Sequence, residues 1–293
     1  MNAFLTLTSI IIGCSTVQCD RGTVSDLSDD TFEMLIAGGS LPDNGQLARH
    51  VVSIRTLNII EYAGDNHFCS GVIISSRTIL TAAHCVADRY MALMSPRRII
   101  VVFGTLYRLK SLSLQDRRRV DRIVVHPKYK RYVKNDLAVL RLVERIPRNV
   151  RHVKSVVKRK PFALEIGMRC TTMGWGQMFM HGPYANEIMF LDVVIANHSL
   201  CSEKIRDYHA EGNLCTKPEA DGNICAGDMG GPLLCEDHLV GIIGGAQQCI
   251  RVDAIKFVNY TYFEGWVDRT VYQLTGAAAF HNLAIYLLIS QVM

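Results

Sequence analysis

Leu80-Thr81-Ala82-Ala83-His84-Cys85 is the most informative segment for the fold, because it belongs to a series of short signatures spread along the chain. Asn135-Asp136-Leu137-Ala138-Val139-Leu140 and Gly227-Asp228-Met229-Gly230-Gly231-Pro232-Leu233 follow it. Two smaller signatures, Ile36-Ala37-Gly38-Gly39 and Gly174-Trp175-Gly176, complete the series. Histidine and aspartate are residue types from which catalytic sites are built, so the series points to a cleft with that chemistry.

Around these signatures, short runs of apolar and β-branched residues recur with turn residues between them. Such a series without intervening helical patterns predicts an all-β barrel or sandwich fold. Apolar residues at helical spacing over Tyr262–Leu274 predict a helix near the end of the chain. The predicted strands are Val51–Ile54, Gly71–Ile74, Ile99–Phe103, Arg122–Val125, Leu137–Leu142, Cys170–Met173, Ile188–Ile195, Pro232–Leu234, Leu239–Ile243 and Ala254–Val258.

Taken together, the signatures resemble the trypsin-like serine proteases, the chymotrypsin or S1 peptidase family, over residues 36–272. Any one signature would be suggestive, whereas all of them in the right order are very specific. The resemblance implies two antiparallel Greek-key β-barrels with a cleft between them, followed by a C-terminal helix. Residues 145–160 would then connect the two barrels.

Ten cysteines are many for a chain kept in a reducing compartment. Cys14 and Cys19 lie in the first twenty residues. No pair is spaced C-x-x-C, which argues against a zinc or thioredoxin-type site. The other eight predict four disulfides, and their spacing leaves the connectivity open. The family resemblance implies the pairs Cys69–Cys85, Cys170–Cys235, Cys201–Cys215 and Cys225–Cys249.

The two ends of the chain have their own compositions. Phe4–Ile12 is a short apolar run, so residues 1–19 are predicted to be a secretory signal cleaved near Cys19. Acid-rich residues 20–35 are predicted to be a pro-segment or linker. Residues 273–293 form an apolar tail that we expect to be a packed or frayed extension. It has almost no polar spacer, which disfavours a lipid-anchor signal.

Two Asn-x-Ser/Thr sequons, at Asn197 and Asn259, are candidate glycosylation sites in a secreted chain. A sequon can also remain unused, so modification of either asparagine is a prediction that depends on secretion.

The resemblance assigns roles to three residues of the catalytic site. In such proteases a serine attacks the carbonyl, a histidine takes its proton and an aspartate orients the histidine. His84 matches the base and Asp136 the orienting acid, but the nucleophile position is Met229. A thioether has no proton to surrender and cannot form the acyl intermediate. The backbone N–H groups of Gly227 and Met229 are still expected to form an oxyanion hole.

The specificity pocket also departs from the family pattern. Asn223 stands at its base, where trypsin-like members carry an acid. The strand that binds the substrate backbone ends in Gly244-Gly245-Ala246 instead of Ser-Trp-Gly, so its flat aromatic wall is missing. Asp253 falls near a position usually held by glycine and would bring a negative charge to the pocket from another side.

Activation and metal binding are altered as well. Family zymogens are cut before the Ile-x-Gly-Gly run, and the new amine pairs with the acid that matches Asp228. Ile36 and Asp228 are both present, but Leu35 precedes the cut site, so a trypsin-like activator is not expected to cleave there. Thr105 replaces the acid of the family's calcium loop. We therefore expect no metal and no cofactor.

These observations predict a secreted, non-catalytic protease homologue that binds extracellular proteins, such as active serine proteases, their inhibitors or their substrates. One alternative is a weak hydrolase in which His84 activates water. Another is a polyanion-binding module that uses the basic 145–160 segment, although that segment is better explained as a solvated connector. The formal net charge of +5 says little by itself, and no nucleic-acid motif is present.

Overall fold

The computed structural model describes residues 46–110, 113–131, 133–147, 150, 153–155, 162–206, 208–219, 222–245, 249–250 and 252–276. The predicted signal, the pro-segment, Leu35, Ile36 and most of the basic connector lie outside these residues. So does the apolar tail beyond Gly276.

Six antiparallel strands form the first barrel, which closes in the order β1-β2-β3-β6-β5-β4. β-Branched residues dominate its interior, as in the buried run Ile99–Val102, because their stiff side chains pack well on a pleated surface. The strands are β1 Val51–Thr56, β2 His67–Ser75, β3 Thr78–Thr81, β4 Ile99–Val102, β5 Arg117–Val125 and β6 Ala138–Leu142.

A second barrel of six antiparallel strands closes in the order β10-β11-β12-β9-β8-β7. The predicted pair of antiparallel barrels is therefore confirmed. The strands are β7 Arg169–Gly174, β8 Met189–Ile195, β9 Asn213–Pro218, β10 Pro232–Cys235, β11 His238–Ile243 and β12 Ile255–Asn259.

Two α-helices complete the described fold, α1 at His198–Lys204 and α2 at Tyr260–Thr275. Helix α2 is the predicted C-terminal helix, and it runs three residues beyond the expected domain end at 272. Its Asn259 cap accepts a hydrogen bond from Tyr262 N, and Gly276 ends it in the left-handed conformation that glycine adopts readily. No helix within the described ranges is both long and apolar enough to cross a membrane.

The barrels pack against each other through shared apolar clusters. In one of them, Leu80 and Val139 of the first barrel join Trp175 and Ile242 of the second, with Phe263 from α2. The Trp175 ring is buried and its Nε1–H donates to Leu106 O at 2.9 Å. This contact holds the loops of both barrels in place around the intervening cleft.

The four predicted disulfides are confirmed. Cys69–Cys85 joins β2 to the segment that carries His84, and Cys225–Cys249 joins the segment before Met229 to the segment after β11. Cys170–Cys235 joins β7 to β10, and Cys201–Cys215 joins α1 to β9. Each cross-link typically contributes about 2–4 kcal/mol by restricting the unfolded chain.

Candidate active site

The register of two strands brings His84 and Asp136 together. Strand β3 pairs with β6 so that Thr81 lies opposite Ala138. His84 follows β3 in a short 3₁₀ turn, and Asp136 immediately precedes β6. The His84 backbone N–H donates to Asp136 Oδ1 at 2.9 Å, and His84 Nδ1 lies 2.7 Å from Oδ2. The predicted base and its orienting acid are therefore in direct contact.

The Asp136 carboxylate is buried but well supplied with donors. Its third hydrogen bond comes from Gly245 N, at 2.8 Å. Burial alone would raise the pKa of Asp136, but the charge and hydrogen bonds of His84 and the Gly245 N–H outweigh it. The net pKa of Asp136 is therefore lowered, which keeps the carboxylate ionised. A carboxylate held this way fixes the orientation of the His84 ring.

Met229 lies in the turn before β10 and is only 7% exposed. Its carbonyl accepts from Ser70 N at 2.8 Å, which ties the turn to the first barrel. The Met229 side chain belongs to an apolar cluster that includes Cys69 and Cys85. The position that the resemblance assigns to the nucleophile therefore holds a thioether packed among apolar groups.

Gly227, whose N–H is expected to form half of the oxyanion hole, is held from the first barrel through its carbonyl. Its carbonyl accepts from His67 Nε2 at 3.1 Å and from Ser70 Oγ at 3.0 Å. Gly227 has a φ of +102°, and a Cβ there would lie 2.7 Å from the Tyr184 ring, so glycine is required. The peptide that joins Gly227 to Asp228 is thus fixed by two donors from the first barrel.

Sequence reasoning missed His67, and no single-sequence signal marks it, because it looks like an ordinary strand residue. The ring is buried, and its Nδ1 lies 2.8 Å from Ser53 Oγ. Burial lowers its pKa to about 3, helped by the nearby Arg55 and Arg108 guanidinium groups. His67 is therefore neutral in the folded protein and able to bond to Gly227 without carrying charge.

Arg108 is a second residue that the sequence did not single out. Its buried guanidinium donates to Ala185 O at 2.9 Å, Gly64 O at 2.7 Å and Tyr184 O at 3.0 Å. Arg55 Nη2 donates in turn to Arg108 O at 2.9 Å. These bonds fasten the loop at 184–186 to the first barrel beside the cleft.

Asp228 is fully buried, and its carboxylate accepts from two backbone groups, Gly176 N at 2.7 Å and Cys225 N at 2.9 Å. Burial raises the pKa of Asp228 to about 7 despite these hydrogen bonds. Its predicted partner, the amine of Ile36, lies outside the described residues, as does Leu35. Pairing of Ile36 with Asp228 therefore stays a prediction.

The structure places the predicted pocket residues in different settings. Asn223 is fully buried, where its Nδ2 donates to Ile250 O and its Oδ1 accepts from Ile224 N. Asp253 is exposed on the surface, and its charge acts on Lys204. The Asn223 amide is thus bonded to backbone groups, whereas the Asp253 carboxylate faces solvent.

The substrate-strand segment is filled from β12. A Cβ on Gly244 would lie 2.5 Å from Val258 Cγ2, and one on Gly245 would lie 3.1 Å from Lys256 Cε and 3.3 Å from its Nζ. Lys256 is 8% exposed. The sequence signal for a buried lysine at this site was its position within the otherwise apolar Ala254–Val258 run. Ala246 lies outside the described residues.

Metal and glycan candidates complete the survey of the site and its surroundings. Among the described residues, the one grouping of potential metal ligands is Cys69, His84 and Cys85, but its two cysteines are joined in a disulfide and offer no thiolate. Asn197 is exposed at the start of α1, and Asn259 is partly buried at the start of α2. Glycosylation of both stays a prediction.

Comparison with known proteins gives a consistent result. The Trypsin family profile matches residues 36–267. Serine protease SP24D of Anopheles gambiae is 29% identical over 238 residues, covering 80% of this chain and 81% of that protein. Trypsin zeta of Drosophila erecta is 26% identical over 275 residues, covering 89% and 95%. The solved structure of human heparin binding protein matches with a TM-score of 0.65 at 25% identity, covering 80% of this chain and 96% of that one.

Proposed function

Because the chain belongs to the trypsin family of serine proteases, we propose that it is a secreted, catalytically inactive member that acts by binding partners in an extracellular proteolytic cascade. The observation that carries the proposal is Met229 in the turn where the family's nucleophilic serine is expected. Loss of the nucleophile from such a triad lowers turnover by about a millionfold. The folded cleft around Met229 then remains as a binding surface.

Secretion is supported by the apolar leader and by the disulfides. The four described disulfides would form and persist in an oxidising compartment. When the full chain is expressed in insect cells, we expect protein in the culture medium whose mass corresponds to a chain that begins after Cys19. Retention of the uncleaved chain inside the cells would contradict the proposal of secretion.

Catalysis is tested with the secreted full-length chain and a panel of peptide esters and amides. We expect turnover equal to that of His84→Ala, since neither protein has a nucleophile in place. An active trypsin assayed in parallel controls the substrates. Hydrolysis that His84→Ala abolishes would refute inactivity and support the weak hydrolase, which the intact contact between His84 and Asp136 favours.

Partner binding is tested by affinity capture from the extracellular fluid of the source organism. Uncut chain and chain cleaved before Ile36 serve as parallel baits. The proposal expects protease-cascade components, meaning active proteases, inhibitors or their substrates, to be captured by at least one bait. Capture of none of these by either bait would count against a role in a cascade.

Polyanion binding through the 145–160 segment is a second candidate function. Its basic residues motivate the idea, and the similar human protein is named for heparin binding. Charge reversal of Arg151, Lys154 and Lys158 should then lower the salt needed for elution from heparin, because salt screens such contacts. Equal elution of the triple variant and its parent would exclude the segment as the binding site.

A further inference from the structure

A groove of about 460 Å³ lies on the first barrel, and its lining includes none of the residues assigned to the catalytic cleft. Its floor and walls carry apolar side chains that solvent reaches. Leu114 is 75% exposed, Val143 44% and Leu57 39%, while Ile100 is buried beneath them. Exposed apolar groups gathered in one concave site are typical of interaction surfaces.

One strand adds positive charge to the same groove. Arg117 and Arg119 stand two residues apart on β5, so their side chains leave the same face of the sheet. No hydrogen bond or ion pair joins either guanidinium to another described residue, so both are available to a ligand. A guanidinium presents several donors in a planar fork that suits a carboxylate.

Arg118, between them, is used by the protein itself. Its Nη1 donates to the carbonyls of Gln115 at 3.1 Å and Arg117 at 2.7 Å, and its guanidinium packs over the Phe103 ring. Glu144, the acid in the groove lining, lies 3.7 Å from Arg118 Nε. Arg118 therefore pairs with the acid of the groove, and no ion pair within the described part of the chain neutralises Arg117 or Arg119.

A smaller cavity of about 100 Å³ shares Ile100 and Arg117 with the groove. It also contains Lys110, which is exposed, and Asn66, which is only 4% exposed. Asn66 Nδ2 donates to Thr56 O, but its buried Oδ1 has no hydrogen-bond partner among the described residues. An unpaired buried acceptor is costly. This oxygen has almost no exposed surface, however, so the smaller cavity offers a ligand Lys110 and not Asn66 Oδ1.

We propose that this groove is a second binding site, which takes an acidic peptide segment of a partner protein. Carboxylates of the peptide pair with Arg117 and Arg119, while an apolar side chain packs against Leu57 and Leu114. A peptide fits better than a sulfated polysaccharide, because the exposed apolar floor offers nothing to a ligand that is wholly polar.

The site does not depend on what the catalytic cleft does, so its test is separate. The probe is a short fluorescent peptide in which glutamate and leucine alternate, titrated with the full-length chain at low salt. Polyglutamate of equal length and a heparin oligosaccharide serve as comparison ligands. We expect the alternating peptide to bind more tightly than polyglutamate or heparin, and its affinity to fall as the salt concentration rises.

Charge reversal at Arg117 and Arg119 should weaken binding of the alternating peptide by about tenfold or more. Arg122→Glu with Lys217→Glu is the matched control, because it changes net charge equally at exposed positions outside the groove. We expect that control to bind within about twofold of the parent. Leu114→Ser should weaken the alternating peptide by about threefold and leave polyglutamate unchanged. Thermal melts confirm that each variant is folded.

The outcomes separate the possible ligands. The proposal is supported if the Arg117 and Arg119 double variant binds the alternating peptide more weakly while its charge-matched control does not, and if Leu114→Ser weakens the alternating peptide but not polyglutamate. Equal or tighter binding of heparin or polyglutamate, with no effect of Leu114→Ser, overturns it in favour of a general anion surface. Absence of peptide binding by the parent chain at low salt also overturns it. None of these results depends on hydrolytic activity. The arginine and Leu114 variants leave the 145–160 segment unchanged, so a loss of binding in them assigns the peptide to the groove.

Discussion

The half of the cleft supplied by the first barrel differs from the half supplied by the second. In the first, His84 and Asp136 keep the residue types and the contact of a working protease. In the second, the positions that the family resemblance assigns to the nucleophile, the pocket floor and the serine of the substrate strand hold Met229, Asn223 and Gly244. The comparison teaches that a fold can retain one half of a catalytic site through packing while the other half changes.

The buried acids of the two halves show the difference in electrostatic terms. Asp136 has a histidine and a lowered pKa, whereas Asp228 has only backbone donors within the described chain and a pKa raised to about 7. The first carboxylate is stabilised as an anion by its surroundings, and the second is destabilised by burial. The first half is therefore electrostatically complete within the described residues, and the second is not.

The largest effect is expected from restoring the nucleophile. If several second-barrel features have changed together, Met229→Ser will remain at least about a hundredfold below an active trypsin in kcat/KM, because misplacing substrate by about 1 Å costs that much. The measurement is peptide-ester and amide hydrolysis, with Met229→Ser/His84→Ala as the control. Protease-level activity from the single substitution would show that only Met229 separates this chain from an active protease.

Two left-handed glycines provide a comparison of rigidity. Gly230 has a φ of +83°, and a Cβ there would lie 2.2 Å from Thr81 Oγ1 and 2.4 Å from Ser70 O. Gly245 has a φ of +80°, but the atoms that a Cβ would meet belong to the flexible end of Lys256. We expect Gly230→Ala to cost about 4 kcal/mol or more and Gly245→Ala about 1–2 kcal/mol. Chemical denaturation measures both, and equal costs would contradict this difference.

The two acids should respond to pH with opposite signs. Asp228 has a folded pKa near 7, against about 3.9 when unfolded, so between these values the native state holds a proton that the unfolded state has lost. Its contribution to the free energy of unfolding therefore falls as pH rises from about 4 to 7. From pH 5 to 8, Asp228→Asn should gain on the order of 2–4 kcal/mol relative to the parent.

Asp136→Asn is the matched variant for the other half. Because the folded pKa of Asp136 is lowered, the parent's advantage over this variant is present above pH 4 or so and is lost as pH falls through the folded pKa. Chemical denaturation across pH checks both variants, and contributions such as that of buried His67 cancel in each difference. If the free energies of unfolding of the parent and of Asp228→Asn change in parallel with pH, Asp228 is paired with a cation in the folded protein.

Much of this arrangement follows from the sequence, for identifiable reasons. β-Branched runs located most strands, and the resemblance of the five signatures to the protease family located His84 and Asp136. The sequence did not predict β3 or β9, since the first is four residues long and the second, Asn213–Pro218, is rich in polar residues. Strand β5 begins at Arg117, five residues before its predicted start, because three arginines resemble a surface loop until barrel closure pairs them with β4.

The roles of buried polar side chains could not be predicted in the same way. His67 and Arg108 bond to carbonyls distant in sequence, at Gly227 and at residues 64, 184 and 185. Those partners come together only when both barrels and their loops have formed. A strand pattern also does not tell which neighbour a side chain meets, so Lys256 beside Gly245 could not be placed in advance.

The smallest effect on the free energy of unfolding is expected at Asn197, in the second barrel and away from the cleft. Asn197 caps α1 by accepting from Ser199 N at 3.1 Å, and it is also the acceptor asparagine of a sequon. Asn197→Asp keeps the cap and removes the sequon, so unfolding free energy should change by only a few tenths of a kcal/mol. Asn197→Ala removes both and should cost about 1 kcal/mol. Mass spectrometry of the secreted proteins shows whether a glycan is lost, and chemical denaturation measures the free energy of unfolding. If both variants lose a glycan and are destabilised equally, the glycan rather than the cap stabilises α1.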